Sequence, residues 1–172
     1  MKPQSTLLVL AACAAAALHA QDNPLSANNK MLYTMIKSNI VKAAQKMPEE
    51  NYSFKPTPEV RSFAQLIGHV ADAQYLFCSA VKGDKKSPDN EKTKTSKSDL
   101  VAALNEAFAY CDGAYNSMTD AAASGKIKFF GQDWTRLGVL SFNTAHDNEH
   151  YGNIVTYMRL KSLVPPSSET SQ

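Results

Sequence analysis

Residues Asn143 to Asn153, NTAHDNEHYGN, set His146 and His150 four positions apart. On a helix that spacing is a turn of about 40° and a rise of about 6 Å, so the two imidazoles project side by side and can share one metal ion. His69, in SFAQLIGHVADAQ, can supply a third nitrogen from a facing helix, as ligands in helical bundles do. Three protein ligands with open positions for water is the arrangement of a catalytic metal, not of a closed structural one. Histidines that merely form hydrogen bonds are the competing reading. Against it, His69, His146 and His150 all fall at mid-helix positions and none in the polar loops, where an exposed histidine is expected.

The acids around the pair suggest further roles. HDNEH also fits H-x-x-E-H, the inverted zinc-protease pattern, with Glu149 as general base and a further carboxylate as third ligand. After His150 the only acid is Glu169, in the tail, so the protease reading lacks its third ligand. Glu149 remains the candidate catalytic base, because it lies closer than Asp147 to the face that carries His146 and His150. Asp72, one turn beyond His69, and Asn143, about one turn before His146, face roughly the same way as the histidines. They are candidates to orient imidazole N–H groups or a bound water, with plain exposed helix polarity as the alternative for each.

Amphipathic helices must position these residues. Leu32, Met35, Ile36, Ile40, Ala43 and Met47 recur at threes and fours and predict a first helix over Asn28 to Met47. PEENYSFKPTPEV carries three prolines and reads as a loop. Ser62 with Gln65 fits a capping box, and Phe63, Leu66, Ile67, Val70, Phe77 and Val81 continue a second helix until Gly83. The polar stretch KGDKKSPDNEKTKTSK reads as a solvated loop. Ser96 with Asp99 repeats the capping signal ahead of Leu100, Leu104, Ala107, Phe108, Cys111, Tyr115 and Met118, the third stripe. ASGKIKFFGQDW reads as a loop or a two-stranded turn that would line a pocket, with Phe130 and Trp134 serving equally well as core cover. Thr135 is the N-cap of a fourth helix, in which Leu137, Leu140, Thr144, Tyr151, Ile154, Val155 and Met158 lead to about Lys161. Four stripes without a sustained strand pattern predict an all-α four-helix bundle over residues 21–166, followed by a frayed tail at 167–172.

SFAQLIGHVADAQ on the second helix and HDNEHYGNIVTYMRLKSLVPPSS late in the chain resemble the DinB-like superfamily of four-helix metal-binding proteins. The resemblance covers roughly Asn28 to Pro166 and implies that His69, His146 and His150 hold one divalent ion, nickel or zinc, with water completing its shell. It also implies an up-down-down-up helix order, which the long connection between helices two and three permits. Characterised members include thiol-dependent transferases and a maleylpyruvate isomerase. The implied activity is therefore metal-dependent hydrolysis or group transfer on a small molecule whose identity the sequence does not give. A non-catalytic bundle that binds a small ligand or a partner is the alternative, and homodimer formation is left open.

Residues 1–20 are of another kind. Lys2, the apolar LLVLAACAAAALHA and the polar QDN after Ala20 read as a secretory signal peptide, so the expected location is periplasmic or secreted. A lipid tether through Cys13 in LAAC is the less favoured variant, because the apolar run before it is short. At 172 residues and a net charge of +2, the chain has room for one domain and no broad basic field. Nucleic acid is thus a poor partner, and no apolar run is long enough to span a bilayer.

Cleavage after Ala20 leaves Cys78 and Cys111. If helices two and three run parallel, these lie within about 3 Å of one another along the axis, whereas antiparallel helices separate them. The 82–95 connection can span about 45 Å, more than the roughly 30 Å needed to return along such a helix, so the parallel order is reachable. An oxidising compartment then permits a Cys78–Cys111 disulfide, although two buried thiols used as small apolar residues are the commoner arrangement.

Overall fold

The structure, a computed structural model, describes residues 23–169. The expected signal peptide, the Cys13 alternative and the last three residues of the tail lie outside them. The long helices are α1 (Pro24–Lys46), α2 (Phe63–Lys82), α4 (Lys97–Ser117) and α6 (Arg136–Leu160), with single-turn helices α3 (Asn90–Thr93) and α5 (Asp120–Ala123) between them. Strands β1 (Lys126–Phe129) and β2 (Gln132–Thr135) form an antiparallel hairpin, pairing Lys126 with Thr135 and Phe129 with Gln132.

Local chemistry sets the helix starts. Ser62 and Gln65 form a reciprocal capping box on α2, Ser96 accepts the Asp99 N–H on α4, and Thr135 accepts the Gly138 N–H on α6. α1 begins with Pro at its first position and is capped from afar, because the Asp120 carboxylate accepts the N–H groups of Leu25 and Ser26.

The four long helices bury their stripes against one another. α1 packs on α4 and α6, and α2 packs on α4 and α6. Direction follows from the cross-links. Tyr33 meets Phe108 and Asp112 while Leu25 meets Asp120, so α1 and α4 are antiparallel. Phe77 meets Phe142 while His69 meets His150, so α2 and α6 are antiparallel. From the end of α2 the chain returns along that helix: Lys86 lies over Tyr75, Asn90 is bonded to Asp72, and Glu91 lies against Gly68. α4 therefore starts beside the start of α2 and runs parallel to it, which completes the up-down-down-up order. Cys78 and Cys111 meet across the α2–α4 contact, with Cα atoms 5.3 Å apart, and are joined by a disulfide. The neighbouring, parallel placement of the two helices decides against free thiols.

Three expectations need correction. Leu32 and Met35 are exposed on α1, and Tyr33 takes the core position instead, because its hydroxyl finds the Phe108 carbonyl and Asp112. The segment read as a solvated loop holds α3, whose Asn90 is buried. The tail read as frayed is held down as far as Glu169. Ser167 donates to the Tyr151 hydroxyl, Arg159 to Ser168, and Glu169 pairs with Lys46.

Candidate metal centre and its groove

His69, near the middle of α2, and His146 and His150, one turn apart on α6, converge across the antiparallel contact. The Nε2 of His146 stands 3.2 Å from that of His69 and 3.0 Å from that of His150. One ligand atom from each histidine lies within 4.8 Å of the others. Two atoms bonded to one ion at about 2.0–2.1 Å, at angles of about 90–110°, stand about 2.9–3.4 Å apart. Both Nε2 separations at His146 fall in that range, and three imidazole nitrogens are a donor set that one divalent ion takes.

The electrostatics match. Burial, then the charges of His150, His69 and Arg61, lower the His146 pKa to about 3. Burial, then His69, lower that of His150 to about 4. Both rings are neutral, the form a metal binds. At Glu91, burial opposes ionisation, but the hydrogen bond and charge of Arg61, followed by those of His69, outweigh it and lower the pKa. An ionised carboxylate only accepts, so His69 Nδ1 carries the proton donated to Glu91 Oε2 at 3.1 Å and turns its Nε2 lone pair to the centre. Arg61 holds the other oxygen of Glu91 at 2.8 Å.

Glu91 is the residue that sequence reasoning missed, and Asp72 and Gly68 explain its position. Asp72 touches no imidazole. Its Oδ1 accepts from the N–H and the side-chain amide of Asn90, and its Oδ2 accepts from the Glu91 N–H. It thus fixes the turn that carries Glu91. A Cβ at Gly68 would lie 2.7 Å from the Glu91 Cα, so only glycine lets α3 lie this close to His69. Asn143 is fully buried and also faces away from the rings, donating to Gln74 and the Tyr115 hydroxyl. Asp147, which the sequence set on a flank, is fully buried. It accepts from Gln74 at 2.7 Å, and burial raises its pKa well above the ordinary value. Glu149 is exposed beside the site and raises the His150 pKa through its charge.

The centre opens along a groove between α2 and α6. On one side of the histidines, a cavity of about 440 Å³ is lined by His69, His146, Leu76, Phe77, Phe130 and Phe142. On the other, one of about 700 Å³ is lined by His150, Arg61, Lys55, Asn153 and Tyr157.

The sequence model of the DinB superfamily matches residues 33–154, a span that includes all three histidines. The chain belongs to the DinB superfamily. Protein YjoA of Bacillus subtilis (strain 168), described as uncharacterized, is 24% identical over 119 residues, which is 67% of this chain and 77% of YjoA. A DinB-like crystal structure from Bacillus cereus ATCC 10987 superposes with a TM-score of 0.72 at 18% identity, covering 81% of this chain and 95% of that one. A mycothiol-dependent maleylpyruvate isomerase superposes with a TM-score of 0.64 at 14% identity, covering 75% of this chain and 60% of that one. At these identities the structural likeness shows a DinB-like fold.

Proposed function

We propose that this DinB-superfamily protein holds one divalent ion, nickel or zinc, through His69, His146 and His150. We propose further that it is an exported metal-dependent hydrolase or group transferase acting on a small molecule. The observation that carries the reading is the convergence of three imidazoles, one of them oriented by an ionised carboxylate, between two surface cavities. An ion held by neutral ligands keeps its full charge and supplies Lewis acidity toward a bound carbonyl, water or thiol.

The chain's own residues do the rest. Glu91 keeps the His69 proton on Nδ1, and Arg61 keeps Glu91 ionised. Phe77, whose ring centre is 5.4 Å from that of His146, shields that ring from water. Export rests on residues 1–20, and the Cys78–Cys111 disulfide suits an oxidising compartment.

Metal analysis of the natively purified protein beside the triple alanine variant at His69, His146 and His150 tests the core of this reading. One equivalent in the first and none in the second is expected; equal metal in both would overturn it.

A further inference from the structure

The hairpin turn over the apolar cavity is built against local preference. Phe130 and Gly131 are its two central residues, with φ of 48° and 75°. Two left-handed residues in a two-residue loop make the turn that Asn-Gly fills most readily. A bulky residue is a genuine outlier there. Phe130 is also 63% exposed, so core packing does not explain it. Its ring stands 4.1 Å from Phe129 and 6.5 Å from Phe142, at the mouth of the cavity that ends at His69 and His146. Strain of this kind, kept where it adds nothing to the core, points to a ligand.

The far end of the groove is polar and carries cations. Arg61 uses its Nε on Glu91, and its two terminal amino groups make no hydrogen bond among the described residues. Lys55 is exposed on the same wall. Glu59 also lines it, but its carboxylate is turned onto its own backbone N–H and Thr57. Because Glu91 connects Arg61 to His69 while Phe77 packs on His146, the cationic and aromatic ends lie on either side of the histidines.

We propose that the groove accepts an aromatic acyl compound joined through an amide or ester to a carboxylate-bearing part. Its ring lies among Phe77, Phe130 and Phe142, its carboxylate on Arg61, and its acyl carbonyl over the three histidines. This rests on the metal reading above and names the substrate class for the same site. In the hydrolytic case, water adds its oxygen to the acyl carbon, the bond from that carbon to nitrogen or oxygen breaks, and the leaving group takes the proton.

Trp134, the sole tryptophan, stacks on Phe142 at 5.5 Å and reports occupancy of the apolar end by its fluorescence. The test is titration of the zinc-loaded and metal-free protein with N-benzoylglycine, benzamide and N-acetylglycine, read by Trp134 fluorescence and calorimetry. N-benzoylglycine is expected to bind at least tenfold tighter than either half-molecule. In the metal-free protein, where the Arg61–Glu91–His69 contact has no ion to act on, Arg61→Gln should lower its affinity about tenfold and leave benzamide unchanged. Phe130→Asn should weaken N-benzoylglycine and benzamide alike, spare N-acetylglycine, and leave the melting temperature equal or higher, since Asn-Gly suits the turn. Equal affinities for all three probes, no binding to protein that carries its zinc, or an Arg61→Gln variant that loses benzamide equally would each overturn the proposal. Failure of zinc itself to bind, with probe binding intact, would instead overturn the metal reading and leave the groove's recognition standing.

Discussion

Two regions of the bundle interior, about one turn apart along α6, treat polar groups differently. Toward the closed end, Gln74, Asn143 and Tyr115 are sealed and bonded to one another, with the Tyr115 hydroxyl on the Leu140 carbonyl and Thr144, and one oxygen each of Asn143 and Asp147 is left without a partner among the described residues. Toward the open end, His69, His146 and His150 aim their Nε2 atoms at one another with too few protons for every contact, and the His146 Nδ1 is buried without a partner among the described residues. Satisfied groups stabilise a core, whereas unsatisfied ones cost free energy unless something else uses them. The difference is one of degree: at the closed end most polar groups are paired with one another, whereas at the open end three ring nitrogens face a common point that a ligand can fill.

The largest effect should come from breaking the sealed end. The disulfide closes a loop with a sequence separation of 33, for which chain entropy gives about 3.7 kcal/mol. The Cys78→Ala/Cys111→Ala double variant should therefore melt about 10 °C lower, given a few degrees per kcal/mol in a domain of this size, while still binding one metal ion. Calorimetry with a zinc titration checks both halves. Loss of metal at temperatures where the variant is folded would mean that the two regions are not separable.

Breaking the open end should do the reverse. His69→Ala should weaken metal binding by more than about 100-fold, beyond the usual cost of losing an outer partner. The metal-free variant should keep its melting temperature, because the triad contributes little without its ion. A fall in metal-free stability comparable to that of the cysteine variant would make the histidines part of the core.

Much of this division was legible in the sequence, for reasons that differ by residue. Helix caps are local, so Ser62, Ser96 and Thr135 could be read directly. The i, i+4 histidine pair is likewise local, and His69 followed from the need for a facing helix. Glu91 was not legible, because it sits in a lysine-rich polar stretch and reaches His69 only after Asp72 and Gly68 dock its turn on α2. The pair that could have pointed to it is Gly68 beside His69, since a helix-interior glycine often marks a close approach of backbone. Asp147 was placed on a flank from its angle alone. The angle was sound, but that flank faces Gln74 on α2 rather than solvent.

The link between α3 and the triad sharpens the comparison at a smaller scale. Glu91→Gln should lower metal affinity about tenfold, the low end for a partner that orients a metal-binding histidine. Gly68→Ala, whose new methyl would push Glu91 away, should give a similar loss by a different route. Combined, they should lose little more than either alone, because both act on one contact. Full additivity in a zinc titration series would show that Gly68 matters for another reason.

The smallest effect is a pH dependence that runs in opposite directions at the two ends. In the metal-free protein, His146 and His150 have pKa values lowered from 6.5 to about 3 and about 4. Between those limits the unfolded chain binds protons that the folded one does not, so these histidines withdraw stability as pH falls below about 6.5. Asp147 has the opposite sign. Its folded pKa lies well above the ordinary 3.8, so the unfolded chain gives up a proton that the folded one keeps, and stability is lost as pH rises above about 4. Asp147→Asn keeps the shape and removes only this second contribution. The metal-free variant should thus be more stable than the parent at pH 7, with the gap closing as pH approaches 4. What remains in the variant should be the histidine slope, a steady loss of stability from pH 7 to pH 4. Urea unfolding across that range measures both curves. A gap that widened toward acid would mean that Asp147 is ionised in the fold, and that the sealed end holds a charge it must be pairing with.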